Sequence, residues 1–193
     1  MEVTVVVATF GDAKWIDLAQ ERAVPSAESH GVPTIHTHAD ALHIARNGAL
    51  QMVTTEWVCH LDADDELEPG YFEAMEKGTA DLRAPAVRYV SEGGVCEDPA
   101  VPPRIPLESG NWLVIGTLVK TEMARAVGWR DWAFFEDWDF WMRCSLAGAS
   151  MEAIPDAVYR AWIRSDSRNR FPSAAEQKQM WRAIRSANLG VRS

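Results

Sequence analysis

Residues 3–10, VTVVVATF, leave this chain few ways to fold. Six of the eight are apolar and most are β-branched, with no alternation between a wet and a dry side. Such a run predicts a strand covered on both faces. A sheet covered on both faces needs helices above and below it, and the chain supplies them. A helical stretch is expected from about Asp12 to Ser29, disturbed by Pro25. Gly31 and Pro33 then lead into a short second strand near TIHTH, and ADALHIARNGALQMV (39–53) has an amphipathic helical pattern with Asp40 near its start. EWVCHLD (56–62) predicts a third strand, and Pro69 suits the first turn of a helix through Lys77. The order β-α-β-α-β predicts an α/β fold with a mostly parallel sheet.

The second half is less regular. Residues 79–118 hold two or three strand candidates around the loop-rich SEGGVCEDPAVPPRIP. TEMARAVG predicts a short helix closed by Gly128, and EDWDFWMRCSLAG (136–148) another that ends at Gly148. EAIPDAVYRAWI suggests a strand pair around Pro155, and SAAEQKQMWRAIRSAN a terminal helix. There is no internal repeat and no linker. A main domain over 1–170 is expected, followed by a basic helical tail over 171–193.

The 193 residues are enough to bury a sizeable core, and 47% hydrophobic with 24% charged is ordinary soluble composition. No stretch approaches the roughly 18 apolar residues of a membrane span. Met1 is followed at once by EVTVVVATF, without a basic leader, so no signal peptide is expected. Cys59, Cys96 and Cys144 are odd in number and far apart, which suggests a reducing cytoplasm and not a disulfide framework. Residues 1–159 carry 11 Lys/Arg against 26 Asp/Glu, while residues 160–193 carry 8 against 2. An acidic body disfavours a nucleic-acid partner. The basic tail leaves open contact with an anionic ligand or a membrane surface, or simply a solvated arm.

Against that acidic background, HLDADDELEPG (60–70) packs Asp62, Asp64, Asp65, Glu66 and Glu68 into seven positions directly after a buried strand. Residues two apart on a strand face the same side, so Asp62 and Asp64 can address one point at the carboxyl edge of the sheet. Paired carboxylates there suit Mg²⁺ or Mn²⁺. An EF-hand loop counted from Asp62 would need Gly where Leu67 stands, and Pro69 falls inside it. His36 and His38 share one face of their strand, but a zinc site would need a third ligand.

ARNGALQMVTTEWVCHLDADDELEPGYFEAM and, further on, GNWLVIGTLVKTEMARAVGWRDWAFFEDWDFWMRCSLAG together resemble a family 2 glycosyltransferase with the GT-A fold, over roughly residues 2–168. The resemblance implies a Rossmann-like three-layer α/β/α sandwich. It also implies a metal-dependent, inverting transfer of a sugar from a nucleotide-diphosphate donor, UDP-sugar by default, to a hydroxyl acceptor. That acceptor would be a glycan, a lipid-linked sugar or a protein. Asp62, Ala63 and Asp64 would meet the donor, with Asp64 and Asp62 holding Mn²⁺ or Mg²⁺ against the diphosphate. Thr9 and Phe10 would contact the nucleotide. Arg46 would support it, or pair with the acidic turn.

The Glu136–Asp137 pair would supply the catalytic base, Asp137 foremost. Trp112 and Trp138 would meet the acceptor. Asp139, four residues before Arg143, suggests an ordinary ion pair on a helix surface. Two departures stand out. His36 and His38 occupy a region where the family usually carries acidic residues, which unsettles the base specificity. Trp162 stands where some relatives have a metal-binding His, so Arg164 and Arg168 would pair with the diphosphate instead. Two rival readings are a non-catalytic nucleotide-sugar binder and a sugar-nucleotidyltransferase. The second would need a Gly-rich basic loop that TFGDAKW does not provide.

Overall fold

The computed structural model describes residues 1–91, 93–164 and 173–190. Strand β1 (Val3–Phe10) is buried along nearly its whole length, as the apolar run requires. It pairs in parallel with β2 (Thr34–Ala39) on one side and with β3 (Trp57–Leu61) on the other. Between β1 and β2 runs a helical stretch: α1 (Lys14–Leu18), a π-helical turn (Ala19–Ala23) and α2 (Val24–Glu28). The expected disturbance is thus a π turn just before Pro25, where the proline fits the first turn of α2. Helix α3 (Leu42–Met52) joins β2 to β3. It packs with α5 (Thr121–Val127) on one face of the sheet. The helical run 14–28 lies with α4 (Tyr71–Met75) on the other, where His30 meets the rings of Tyr71 and Phe72.

The remaining strands are β4 (Glu66–Leu67), β5 (Leu82–Ser91), β6 (Leu118–Lys120) and β7 (Met151–Ile163), and the sheet order is β2-β1-β3-β6-β5-β7-β4. The three-layer α/β architecture is as expected, but the sheet is mixed. β6 runs antiparallel to both β3 and β5, and β4 antiparallel to β7. One further expectation needs correction. EAIPDAVYRAWI is one strand, not two, because residues 155–157 bulge out and pairing with β5 resumes at Val158. Residues 79–118 form one long strand and one short one, joined by a loop that touches β5 through isolated bridges at Cys96 and Ala100.

Helix α6 (Glu136–Leu146) and helix α7 (Ala174–Leu189) complete the chain. Ser173 and Glu176 cap α7 reciprocally. This helix is docked: Trp181 stacks on Trp138 of α6, Ile184 is fully buried, and Asn188 bonds to Asp139.

Candidate active site

The strand order reverses at β1, since the connection through α1 and α2 leads to one neighbour and the connection through α3 to the other. The crevice beyond the carboxyl ends of β1 and β3 is where such sheets bind ligands. Thr9 and Phe10 end β1 there, and Asp62 follows β3.

Arg46 joins the parts. Its side chain is 2% exposed, and a buried guanidinium has to be paired. It donates to Asp62 Oδ1 at 2.9 Å and to Glu136 Oε1 at 3.2 Å, and lies 4.2 Å from the centre of the Trp129 ring. One cation therefore ties the end of β3 to the start of α6. Asp62 keeps part of its carboxylate in solvent, whereas Glu136 is buried. Phe135, just before α6, has φ of 64°, a left-handed conformation costly for an aromatic residue, and it turns the chain into the helix.

Asp137 then faces a groove of about 290 Å³ that also reaches Asp62, Asn111 and Trp112. Its Oδ2 accepts a 2.9 Å bond from Asn111 Nδ2, and Asn111 is itself held by the Leu113 amide. Asp137 remains partly accessible from the groove although protein surrounds it closely. Burial, then the adjacent Glu136, push its carboxyl up to about 7.

The acidic turn is pinned from outside. Asp65 is buried and accepts from Tyr159 Oη at 2.6 Å and from the Trp162 amide at 2.8 Å. Its carboxyl lies well above the ordinary range, through burial and then its neighbours Asp64 and Asp62. Arg22, in the π turn, donates to the Asp64 carbonyl at 2.8 Å and stacks 4.2 Å from the Trp162 ring. Ala63 turns its methyl into the core. Burial and then Asp62 push the Asp64 carboxyl up to about 6, against the pull of Arg164 and Arg22. A negative field that raises the proton affinity of Asp64 also favours a divalent cation beside it. Asp64 and Asp62 thus fit one, with substrate oxygens completing the shell. Among the described residues no group of three or more His, Cys, Asp or Glu is arranged to hold a metal by itself.

His36 and His38 do share a face, and both meet the Thr9 hydroxyl, at 3.1 and 3.0 Å. Gln20 reaches the other nitrogen of His36 at 2.9 Å. Burial, then His38, hold His36 below its ordinary pKa. The pair is bound to a hydroxyl and an amide. Phe10, with Asp40, His43, Trp132 and Glu136, lines a separate cavity of about 170 Å³.

Several expectations about single residues need correction. Trp138 is buried, stacks on Trp181 and donates its indole N–H to the Leu107 carbonyl, so it is core and offers no face to an acceptor. Trp112 is also buried, though it lines the groove. Asp139 is completely buried and meets Arg143, Arg130 and Asn188, a hub that seats α7 and not a surface pair. Arg164 is close enough to Asp64 to act on its charge, while Arg168 lies outside the described residues. Arg22, Asn111 and Tyr159 went unnoticed in the sequence, because their partners lie 42, 26 and 94 positions away.

Residues 17–95 match the family model described as Glycosyl transferase family 2. No curated protein matches the chain. Among solved structures, a crystal structure of residues 1–349 of S. aureus TarS in complex with UDP-GlcNAc superposes with a TM-score of 0.66 at 15% identity, covering 95% of this chain and 65% of that one. The same TarS segment in complex with UDP gives 0.60 at 15% identity, covering 95% and 64%. TarS 1-349 without a named ligand gives 0.60 at 14% identity, with the same coverage. The chain thus spans somewhat less than two thirds of the length of these structures. The resemblance read from the motifs is therefore shown: this chain is similar to the family 2 glycosyltransferases, by sequence over residues 17–95 and by its GT-A fold over nearly its whole length.

Proposed function

We propose that this chain transfers a sugar from a nucleotide-diphosphate donor to a hydroxyl acceptor, with inversion and with a divalent cation, Mn²⁺ or Mg²⁺. One observation carries the reading: Asp62 and Asp137 face a single groove, and Arg46 ties Asp62 to Glu136, the neighbour of Asp137. The UDP-GlcNAc and UDP complexes of TarS support a uridine nucleotide as the default donor.

The acceptor hydroxyl lies against Asp137, which takes its proton as the oxygen attacks the anomeric carbon. The new C–O bond forms as the bond from that carbon to the phosphate oxygen breaks, and the electron pair leaves with the nucleoside diphosphate. Asp64 and Asp62 would hold the cation, which when bound would supply Lewis-acid stabilisation of that leaving charge. Asn111 holds Asp137 in place. Asp62, steadied by Arg46, is available to the ribose or base side of the donor. Thr9 and Phe10 border the nucleotide side, and Arg164 adds positive charge near the diphosphate. Arg168 is proposed for the same role. Trp112 borders the acceptor side. Cytoplasmic residence accords with three free cysteines and with no described helix long and apolar enough to cross a membrane.

The test is a panel of nucleotide sugars with and without Mn²⁺, read by melting-temperature shift and nucleotide release. The expected result is UDP release from a UDP-sugar only with the cation. A melting shift without any release would favour a binding protein.

A further inference from the structure

Helix α7 reaches Asp137 through the two residues that follow it on α6. Trp138 is buried, and its indole N–H donates to the Leu107 carbonyl at 2.7 Å, in the same loop as Asn111, the partner of Asp137. The Trp138 ring stacks on Trp181 of α7, with centroids 5.9 Å apart and planes 24° from parallel. One side chain thus joins the catalytic helix, the loop that steadies Asp137, and α7.

Asn188 makes the second connection. A side-chain amide has two N–H donors and a carbonyl acceptor, and here all are engaged. Nδ2 donates to Asp139 Oδ1 at 2.8 Å and to the Ile184 carbonyl at 2.9 Å, while Oδ1 accepts from Arg130 at 3.2 Å. Arg130 and Asp139 stand at the two ends of the segment that delivers Asp137, and between them lies Phe135 with its φ of 64°. A left-handed turn at an aromatic residue persists only where its surroundings fix it. Asn188 fixes this one from both ends.

Resting on the transferase reading above, we propose that Trp181 and Asn188 of α7 are positioning residues for Asp137, holding segment 130–139 so that the carboxylate meets the attacking hydroxyl. Neither is among the described residues that line the groove. Their effect falls on the chemical step and not on donor binding. A reacting group displaced by about 1 Å can cost on the order of 10²-fold in rate.

The full chain is assayed with UDP-hexoses and Mn²⁺, by nucleotide release for turnover and by calorimetry for UDP affinity. Asn188→Ala and Trp181→Ala should each lower kcat about tenfold or more and leave UDP affinity within about twofold. Trp181→Phe, which keeps a stacking ring, should recover most of the rate. Lys178→Ala, exposed on the same helix, should match the wild type. In an Asp137→Asn background, Asn188→Ala should cost no further turnover, because the group it positions is gone. A merely structural contact would lower both enzymes alike. Should Trp181→Ala fail to fold, Asn188→Ala carries the test. Unchanged kcat, equal losses of kcat and UDP affinity, or additive losses in the double variant overturn the inference and leave the transferase reading intact. So does loss of the fold in both variants, which would make α7 purely structural. A failure of the wild type to release nucleotide from every donor removes the transferase reading and this inference with it.

Discussion

Asp137 meets two demands that pull against each other. A base must be ionised to take a proton, yet burial and Glu136 make ionisation costly and push the carboxyl up to about 7. Turnover should therefore fall as pH drops through about 7, and a rate profile flat from pH 5 to 8 would reassign the base. Asp137→Asn should keep the fold and lower turnover by about 10²–10⁴, the usual contribution of a positioned base. The same shift predicts an opposite effect on stability. A carboxyl whose folded pKa is raised binds its proton more tightly when folded, so its charge destabilises the fold increasingly as pH climbs from about 4 to about 7. Asp137→Asn should melt above the wild type at pH 8, and the gap should close toward pH 4. The Glu136–Asp137 pair was legible because it stands at a helix start within a known motif. Asn111 was not, because it lies in an aperiodic loop and reaches Asp137 only through the fold.

Among the elements, α7 departs most from what its composition suggests. Its charge pattern fits a solvated tail, and nothing local marks Ile184 as buried. Only the opposing surface of α6, with Trp138 and the buried Asp139, explains the docking. Ile184→Ala should cost about 2–5 kcal/mol, the range for emptying a fully buried aliphatic site, as read by urea denaturation. A loss under 0.5 kcal/mol would mean the helix does not hold its place in solution. The π turn was equally hidden. Pro25 pointed to a disturbance, but the extra residue in the turn matters because Arg22 then reaches the acidic turn. Arg22→Ala should weaken UDP affinity in Mn²⁺ about tenfold through loss of that contact, measured by calorimetry, with a smaller effect on melting temperature.

For the whole molecule, the parallel half of the sheet was readable because buried parallel strands and their helices each have their own periodicity. The antiparallel insertion of β6 and the two-residue β4 were not, since short strands are specified by their neighbours. The positions of Asp62 and Asp64 at the strand end followed from the pattern, while their relation to β7 came only with the fold. On the proposed reading metal binding is a property at this scale, because Asp62 and Asp64 would offer two carboxylates and the substrate would offer the rest. Mn²⁺ alone should bind weakly, and Mn²⁺ with UDP much more tightly, each stabilising the other in a melting assay. EDTA should abolish turnover. Tight stoichiometric Mn²⁺ binding to the nucleotide-free protein would contradict this arrangement.

The anchoring of the acidic turn through Asp65 separates architecture from chemistry. Tyr159 and the Trp162 amide grip the Asp65 side chain, while Asp64 beside it is held by its backbone carbonyl through Arg22. The turn is consequently a mount with an exchangeable tip. Side chains of similar size can be placed at 64 to alter which cation is preferred, without reshaping the loop that presents them. Position 65 offers no such freedom. In a laboratory evolution experiment, tolerated variation should gather at 64 for altered metal preference, whereas 65 should stay nearly invariant under selection for folding alone.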